Sequence, residues 1–455
     1  MQEVVSLTRR QLLWGAAALA PIIALRPTTA YASNAVPAMP ARTVHDSYGI
    51  NTHFSFVGST STWANTDAAV SWVQSLGAGA IRQYLPRTSW GRAAVKQATD
   101  ALTVRWCCPI LTASDVSSLN AARVVVNEQL DWLQSNTDLE LLDSLPGLNE
   151  PNSEGKDVAE WVRVTRWAQQ ALYEETRRRP VFDDVLVQGA PLNMKGGPWE
   201  IIPDVQALGD LSPWLDRGDA HIYPGHYDPG LLVDERLALL SPVHPGKPVC
   251  VSEGGYSTAV NRGYTGGSDL VSARAAANYG PKHLLVHAVG GRPFFSYETL
   301  DEAPPYEDTE RTTRESGFGL VRTPSLSPSS WSAKPGFDAI RRTLSLLNDQ
   351  PGHVAQGLDI EIAATTTDLR TALFHRSDGK WLLTIWLAVD LYEWDPPTQS
   401  GQNLPVEQHS VTITLTQALP VAVYEPSTQD TPVDTFTAQA FTQSLAGGLQ
   451  ILEIG

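Results

Sequence analysis

The sequence predicts a (β/α)8 barrel followed by an antiparallel β-sandwich. Three observations lead there. Short β-rich runs recur eight times through the first 300 residues with helix-compatible segments between them, and such alternation over ~250 residues is the pattern of a TIM-type barrel. From about residue 352 the rhythm changes to runs that alternate apolar and polar residues, as half-buried antiparallel strands do. The chain of 455 residues is also long enough for a barrel of ~250 residues and a smaller second domain. A doubly wound sheet alternates too, but it more often carries a glycine-rich first turn, and no G-x-G-x-x-G follows a strand here.

Taken in order, the chain opens with Arg9 and Arg10 before an apolar run from Leu12 to Leu25, closed by Ala30-Tyr31-Ala32. That is the layout of a twin-arginine export signal over residues 1–32, with small residues where a signal peptidase cuts. The run is short and interrupted by Pro21, which suits a cleaved signal better than a membrane span. Localisation is therefore expected outside the cytoplasm, periplasmic or extracellular, and residues 33–46 form a mature N-terminal tail. The barrel is assigned to 47–345. Its strands are expected at 48–54 ("YGINTHF"), 79–85, 103–111, 141–150, 185–190, 219–223, 248–255 and 293–298. Apolar residues at three- and four-residue intervals mark helices over 66–76, 121–134, 158–178 and 269–287, and a further one over 335–347. The sandwich takes 346–455, with turn signals such as Ser377-Asp378-Gly379 between its strands. Nothing in it carries separate chemistry, so it reads as a cover for the barrel's flank rather than a sugar-binding module.

Composition narrows the partners. A net charge of -16, with no Lys/Arg cluster after the first ten residues, argues against nucleic acid and against anionic polymers. The 14 tryptophans suit planar ligands such as sugar rings as well as cores. Cys107, Cys108 and Cys250 lie in apolar strand-like runs and read as buried free thiols. No Cys/His spacing resembles a zinc site, and neither a Walker loop nor another cofactor motif occurs, so no metal or cofactor is expected.

In a barrel of this kind reactive side chains stand at the C-terminal ends of the strands. Glu150, in "LDSLPGLNEPN", ends the fourth expected strand, and Glu253, in "KPVCVSEGG", ends the seventh. Two acids brought to one mouth from separate strands are what glycoside hydrolysis needs: one protonated to serve the leaving oxygen, one ionised to attack the anomeric carbon. Their environments should push their pKa values apart.

With Asn149-Glu150-Pro151 after strand four and Glu253 after strand seven, the chain resembles clan A of the glycoside hydrolases. It is most similar to the family 5 and family 39 types with an attached β-sandwich. The resemblance covers roughly residues 47–345. It implies a retaining enzyme on a carbohydrate substrate, with Glu150 as acid/base and Glu253 as nucleophile. It further implies that Asn149 binds the sugar 2-hydroxyl, that Arg82 bonds the nucleophile, and that His221 and Tyr223 of "DAHIYPG" supply the strand-six His-x-Tyr, the tyrosine hydroxyl turned to the nucleophile.

Other residues are open. Asn51 and His53 of "GINTHF" end strand one and either bind sugar or pack inside; Glu298, in "FFSYETLDE", is a third site acid or a cap for the next segment. The clan often has tryptophan as a sugar platform on strand eight, where this chain has Tyr297. Trp63, Trp90, Trp199 and Tyr256 are candidate platforms by position, each equally suited to the core. Beside the reading as an exported retaining glycosidase stands a barrel that binds glycan without turnover. A metal-dependent hydrolase would want a His-x-His on a strand end, which is missing.

Overall fold

The computed structural model describes residues 35–455 except 59–60, 154–156, 195–199, 261–269, 302–316, 396 and 399. The expected export signal and Trp199 lie outside the described residues. Among those described, no helix is long and apolar enough to cross a membrane.

Eight parallel strands form the barrel: β1 Tyr48–Thr52, β2 Ala80–Gln83, β3 Arg105–Cys107, β4 Leu142–Pro146, β5 Leu186–Gln188, β6 Gly218–His221, β7 Val249–Gly254 and β8 Phe294–Ser296. Their order is β5-β4-β3-β2-β1-β8-β7-β6, and a parallel bridge between Gln188 and Arg217 joins the two ends. Each expected strand is present, but shorter. Expected strand four reached Glu150, whereas its ladder stops at Pro146; Glu150 stands in the loop beyond, which is where barrel sites are built.

The helices follow from caps as much as from periodicity. Thr66–Leu76 ends at Gly77, whose φ of 77° is the left-handed conformation a C-terminal glycine supplies. The segment expected over 121–134 runs Leu119–Asn136, because the Ser118 side chain accepts from the Ala121 amide (3.1 Å). The one expected from 269 runs Ala273–Val289, started in the same way by Ser272. Val158–Arg177 begins at Asp157, whose carboxylate accepts from the Glu160 amide (3.0 Å). Pro335–Leu346 closes the barrel region.

Beyond it lie β9 Ile360–Ala364, β10 Leu369–His375, β11 Trp381–Leu387, β12 Tyr392–Asp395, β13 Ser400–Asn403, β14 His409–Tyr424, β15 Asp434–Leu445 and β16 Gln450–Ile454. The main sheet runs β10-β11-β16-β14-β9, with β15 also on β14, and β12 with β13 forms a separate hairpin. β14 is irregular between Thr414 and Leu419; its first half pairs β9 and its second half β16. The sheet thereby folds over an interior of Leu373, Leu383, Ile385, Val411, Ile413, Val421 and Leu452, giving the expected sandwich. β10 and β11 are buried on both faces: Leu383, Ile385 and Leu387 fill the sandwich, while Phe374, Leu382 and Trp386 join the barrel's core. That explains why "WLLTIWL" lacks polar alternation. The stretch read as a tail is also built in from Ala35 on. Met39–Pro40 pairs parallel with Phe374 and His375 of β10, Val36 bridges Leu358, and a helix spans Arg42–Ser47.

Candidate active site

Glu150 and Glu253 face each other across the mouth of the barrel, with His221 between them: an oxygen of each acid and a ring nitrogen of His221 all lie within 4.8 Å of one another. Local backbone geometry makes this approach possible. On the acid at β4, Glu150 itself takes φ +39°, uncommon for a residue with a Cβ and worth about 1–3 kcal/mol of strain. Ser153 donates its amide to the Glu150 carbonyl (2.9 Å), so the Asn-Glu-Pro-Asn stretch is a turn and a site residue at once. Just before it, a side chain at Gly147 would lie 2.9 Å from the Ala190 amide nitrogen, so the loop passes the chain just beyond β5 where only glycine fits. On β7 the register shifts, leaving Ala220 opposite Val251 but His221 opposite Glu253. Such a bulge re-aims a side chain, and here it turns Glu253 into the mouth.

Glu253 is held at both oxygens. Arg82 Nη1 donates to Oε1 (2.6 Å) and the Tyr223 hydroxyl to Oε2 (2.7 Å). The same guanidinium donates to Asn51 Oδ1 (3.0 Å) and, through Nη2, to Asn149 Oδ1 (2.7 Å). Burial opposes the Arg82 charge more than any one neighbour favours it, but Glu253 together with Cys107, Asp219 and Tyr223 outweighs burial and leaves the guanidinium above its ordinary range. Burial and the Glu253 charge push Tyr223 well up, so its hydroxyl keeps its proton and donates. Asn51 in turn donates to the Ser252 and Ser296 carbonyls (3.0 and 3.2 Å), locking β1 against β7 and β8.

Glu150 has different company. His221 Nδ1 lies 2.9 Å from its Oε1 and 3.4 Å from Glu253 Oε2, and Asn193 Nδ2 donates to its Oε2 (2.6 Å). Burial raises the Glu150 pKa, but the His221 hydrogen bond and charge, with Asn193 and Arg82 behind them, outweigh it and leave the carboxyl below its usual range. Burial likewise works against an imidazolium at His221 and is outweighed by Glu253 and Glu150, which leave the ring above its usual value. Both shifts have one source, the hydrogen bond and mutual charge between His221 Nδ1 and Glu150 Oε1.

Of the remaining expected residues, His53, Tyr297 and Glu298 form a group beside Tyr223. His53 Nε2 is 2.9 Å from Glu298 Oε2, so the fully buried Glu298 side chain lies under a partly exposed imidazole. Tyr297 packs edge-on between His53, Tyr223 and Phe318, and its peptide bond to Glu298 is cis. Trp63 is buried in the core against Phe54, and Tyr256 is buried beside Tyr279, so neither is a platform. Trp90 is 57% exposed at the start of the helix after β2. Two exposed aromatics escaped the sequence reading: Phe56, stacked on His53, and Tyr227, after β6. So did Asn193, in "QGAPLN". A polar side chain just past a barrel strand was its only signal.

Glu150, His221 and Glu253 are also of a type and spacing that could hold a divalent ion. The donor set opposes it. A guanidinium already sits 2.6 Å from Glu253, and it would repel a cation bridging the two acids. Cys107, Cys108 and Cys250 are free and buried, as expected.

No protein-family model matches the sequence, and no curated protein matches it significantly. Solved structures do match. A family 51 α-L-arabinofuranosidase from Bifidobacterium longum, AbfB, aligns over 93% of this chain and 98% of its own at 10% identity and a TM-score of 0.56. A glucosidase from Croceicoccus marinus aligns over 92% and 97% at 11% identity and 0.53, and SrfJ from Salmonella typhimurium over 92% and 90% at 11% and 0.53. At such identities the likeness is one of fold, and with over nine-tenths of this chain aligned it takes in the barrel and the C-terminal sheet together.

Proposed function

We propose that this chain is an exported retaining glycoside hydrolase that cleaves O-glycosidic bonds of an oligo- or polysaccharide. The observation that carries the reading is the unequal treatment of two facing acids. Glu253, gripped by a guanidinium and a tyrosine hydroxyl, is the ionised nucleophile; Glu150, sharing a proton with His221, is the acid/base. Their oxygens within 4.8 Å suit the ~5–5.5 Å spacing of retaining pairs better than the ~6.5–9.5 Å that leaves room for a water.

In the first step a Glu253 oxygen attacks the anomeric carbon as the glycosidic bond breaks. The proton held between His221 and Glu150 passes through the Glu150 carboxyl to the leaving oxygen. His221 is then neutral and Glu150 ionised, which makes Glu150 the base that takes a proton from water as the glycosyl ester is hydrolysed. Asn149, exposed and oriented by Arg82, stands where it can bond a ring hydroxyl. The solvent-facing aromatics Phe56 and Tyr227, on the loops after β1 and β6, and Trp90, at the start of the helix after β2, favour a glycan longer than one sugar, since sugar faces stack on exposed rings.

The test is a screen of purified protein on aryl glycosides and neutral polysaccharides, with Glu253→Ala alongside. Turnover by wild type and none by the variant is expected. A wild type that binds glycan but hydrolyses nothing would favour the non-catalytic barrel. Export is tested by replacing Arg9 and Arg10 with Lys; unchanged export would refute the twin-arginine route.

A further inference from the structure

The loop that carries Tyr223 is tied down along its length, and the ties lead into the C-terminal domain. Between β6 and the helix Pro229–Leu240, the Tyr223 carbonyl accepts from the Arg236 guanidinium. The His226 carbonyl accepts from the Tyr279 hydroxyl (3.2 Å), and the Tyr227 carbonyl from the Tyr256 hydroxyl (3.1 Å). Asp228 ends the loop: one oxygen accepts from the Gly230 amide (2.9 Å), and the other pairs with Lys282 Nζ (2.8 Å), both side chains being fully buried.

Three of these anchors are shared with the turn that leaves β11. Lys282 Nζ also donates to the Leu387 carbonyl (2.9 Å). Asp390 Oδ1 accepts from the Asp228 amide (2.8 Å). The Leu391 amide donates to the Tyr279 hydroxyl, the same oxygen whose proton serves His226. Apolar contact continues the junction, with Leu391, Tyr392 and Trp394 packed on Tyr256 and Tyr279. A domain that only covered a flank would not need its polar groups aimed at one site loop.

We propose that residues 387–391 of the C-terminal domain are a positioning element for the nucleophile: they fix the loop after β6 and so hold the Tyr223 hydroxyl on Glu253 Oε2. Asp390 and Tyr279 are its positioning residues. This rests on Glu253 being the nucleophile. Neither residue is among the groups around the two acids, so loosening them changes how often Glu253 is correctly aimed, not how a sugar binds, and small misplacements are costly to an oriented attack.

The experiment uses the full chain and the aryl glycoside that the screen identifies. Tyr279→Phe combined with Asp390→Ala should lower kcat about tenfold, the scale of one or two lost hydrogen bonds, with KM changed less than about twofold. Tyr279→Phe with Asp390→Asn, which keeps the acceptor for the Asp228 amide, should recover part of that loss. In a Tyr223→Phe background the same changes should cost less than about twofold, because there is no hydroxyl left to position. Amide hydrogen exchange of residues 222–228 should quicken in the double variant, a readout independent of turnover. A full tenfold loss in the Tyr223→Phe background, or unchanged kcat and unchanged exchange, would overturn the proposal. Glu253→Ala measured in parallel separates the two ideas: if it abolishes turnover while the double variant matches wild type, positioning alone fails, and if it retains turnover the nucleophile assignment fails.

Discussion

At the scale of single residues, the two acids differ by what touches them, and chemistry can separate them. Glu253→Ala should lose nearly all turnover on every substrate, and added azide should restore it with a glycosyl azide of inverted configuration, because the anion fills the space of the missing carboxylate. Glu150→Ala should keep the first step on substrates with good leaving groups, which need no proton, and azide should then give a product of retained configuration. Wild-type rates in both variants would place the reaction elsewhere. Proton sharing with His221 adds a pH signature. The Glu150 carboxyl lies below its ordinary 4.5 in the fold and the His221 ring above its ordinary 6.5. The depressed acid contributes stability above 4.5 that is lost as pH falls through its folded value. The raised imidazole contributes stability below 6.5 that is lost as pH rises through its own. The pair therefore supports the fold most between about 4.5 and 6.5. The melting-temperature difference between wild type and His221→Asn should be widest there and shrink on either side; a flat difference across pH would sink the shared proton.

At the scale of elements, legibility tracks how local the cause is. The helix Thr66–Leu76 matches its expected bounds, because an apolar stripe and a terminal glycine are both sequence features. The strands were visible as runs, yet their ends were not. Expected strand four ran to Glu150, while its ladder ends at Pro146 and Gly147 passes close beside Ala190, just beyond β5, a contact between residues far apart in sequence. The bulge that turns Glu253 inward is likewise a property of two strands together. One element-level pair invites a stability test. Lys282 and Asp228 are both fully buried, 2.8 Å apart; burial lowers the lysine's pKa and raises the aspartate's, each only partly offset by the other. Lys282→Met would strand a buried carboxylate and should cost about 3–5 kcal/mol, read by denaturant unfolding, whereas Lys282→Met with Asp228→Asn should recover part of it. No recovery in the double variant would show that the lysine acts by packing alone.

At the scale of the whole molecule, barrel and sandwich share a core. Phe374, Leu382, Trp386 and Ile451 from the C-terminal sheet lie in the same apolar cluster as the barrel's strands and helices, and Met39–Pro40 joins that sheet before the barrel starts. A protein cut after residue 347 would expose those contacts, so it should be insoluble or unfolded by circular dichroism; a soluble, cooperatively melting barrel would refute the shared core. By itself the sequence determined the architecture and the two acids: periodicity of eight alternating units, the change of rhythm near 352 and two glutamates at the ends of expected strands four and seven are written in residue order. The tertiary structure decided the rest. It alone brought Asn193 and His221 to Glu150, sent Trp63 and Tyr256 into the core and aimed residues 387–391 at the loop after β6. Hydrogen bonds and buried charges depend on distance in space, and residues tens to hundreds of positions apart carry no mark of it in the chain.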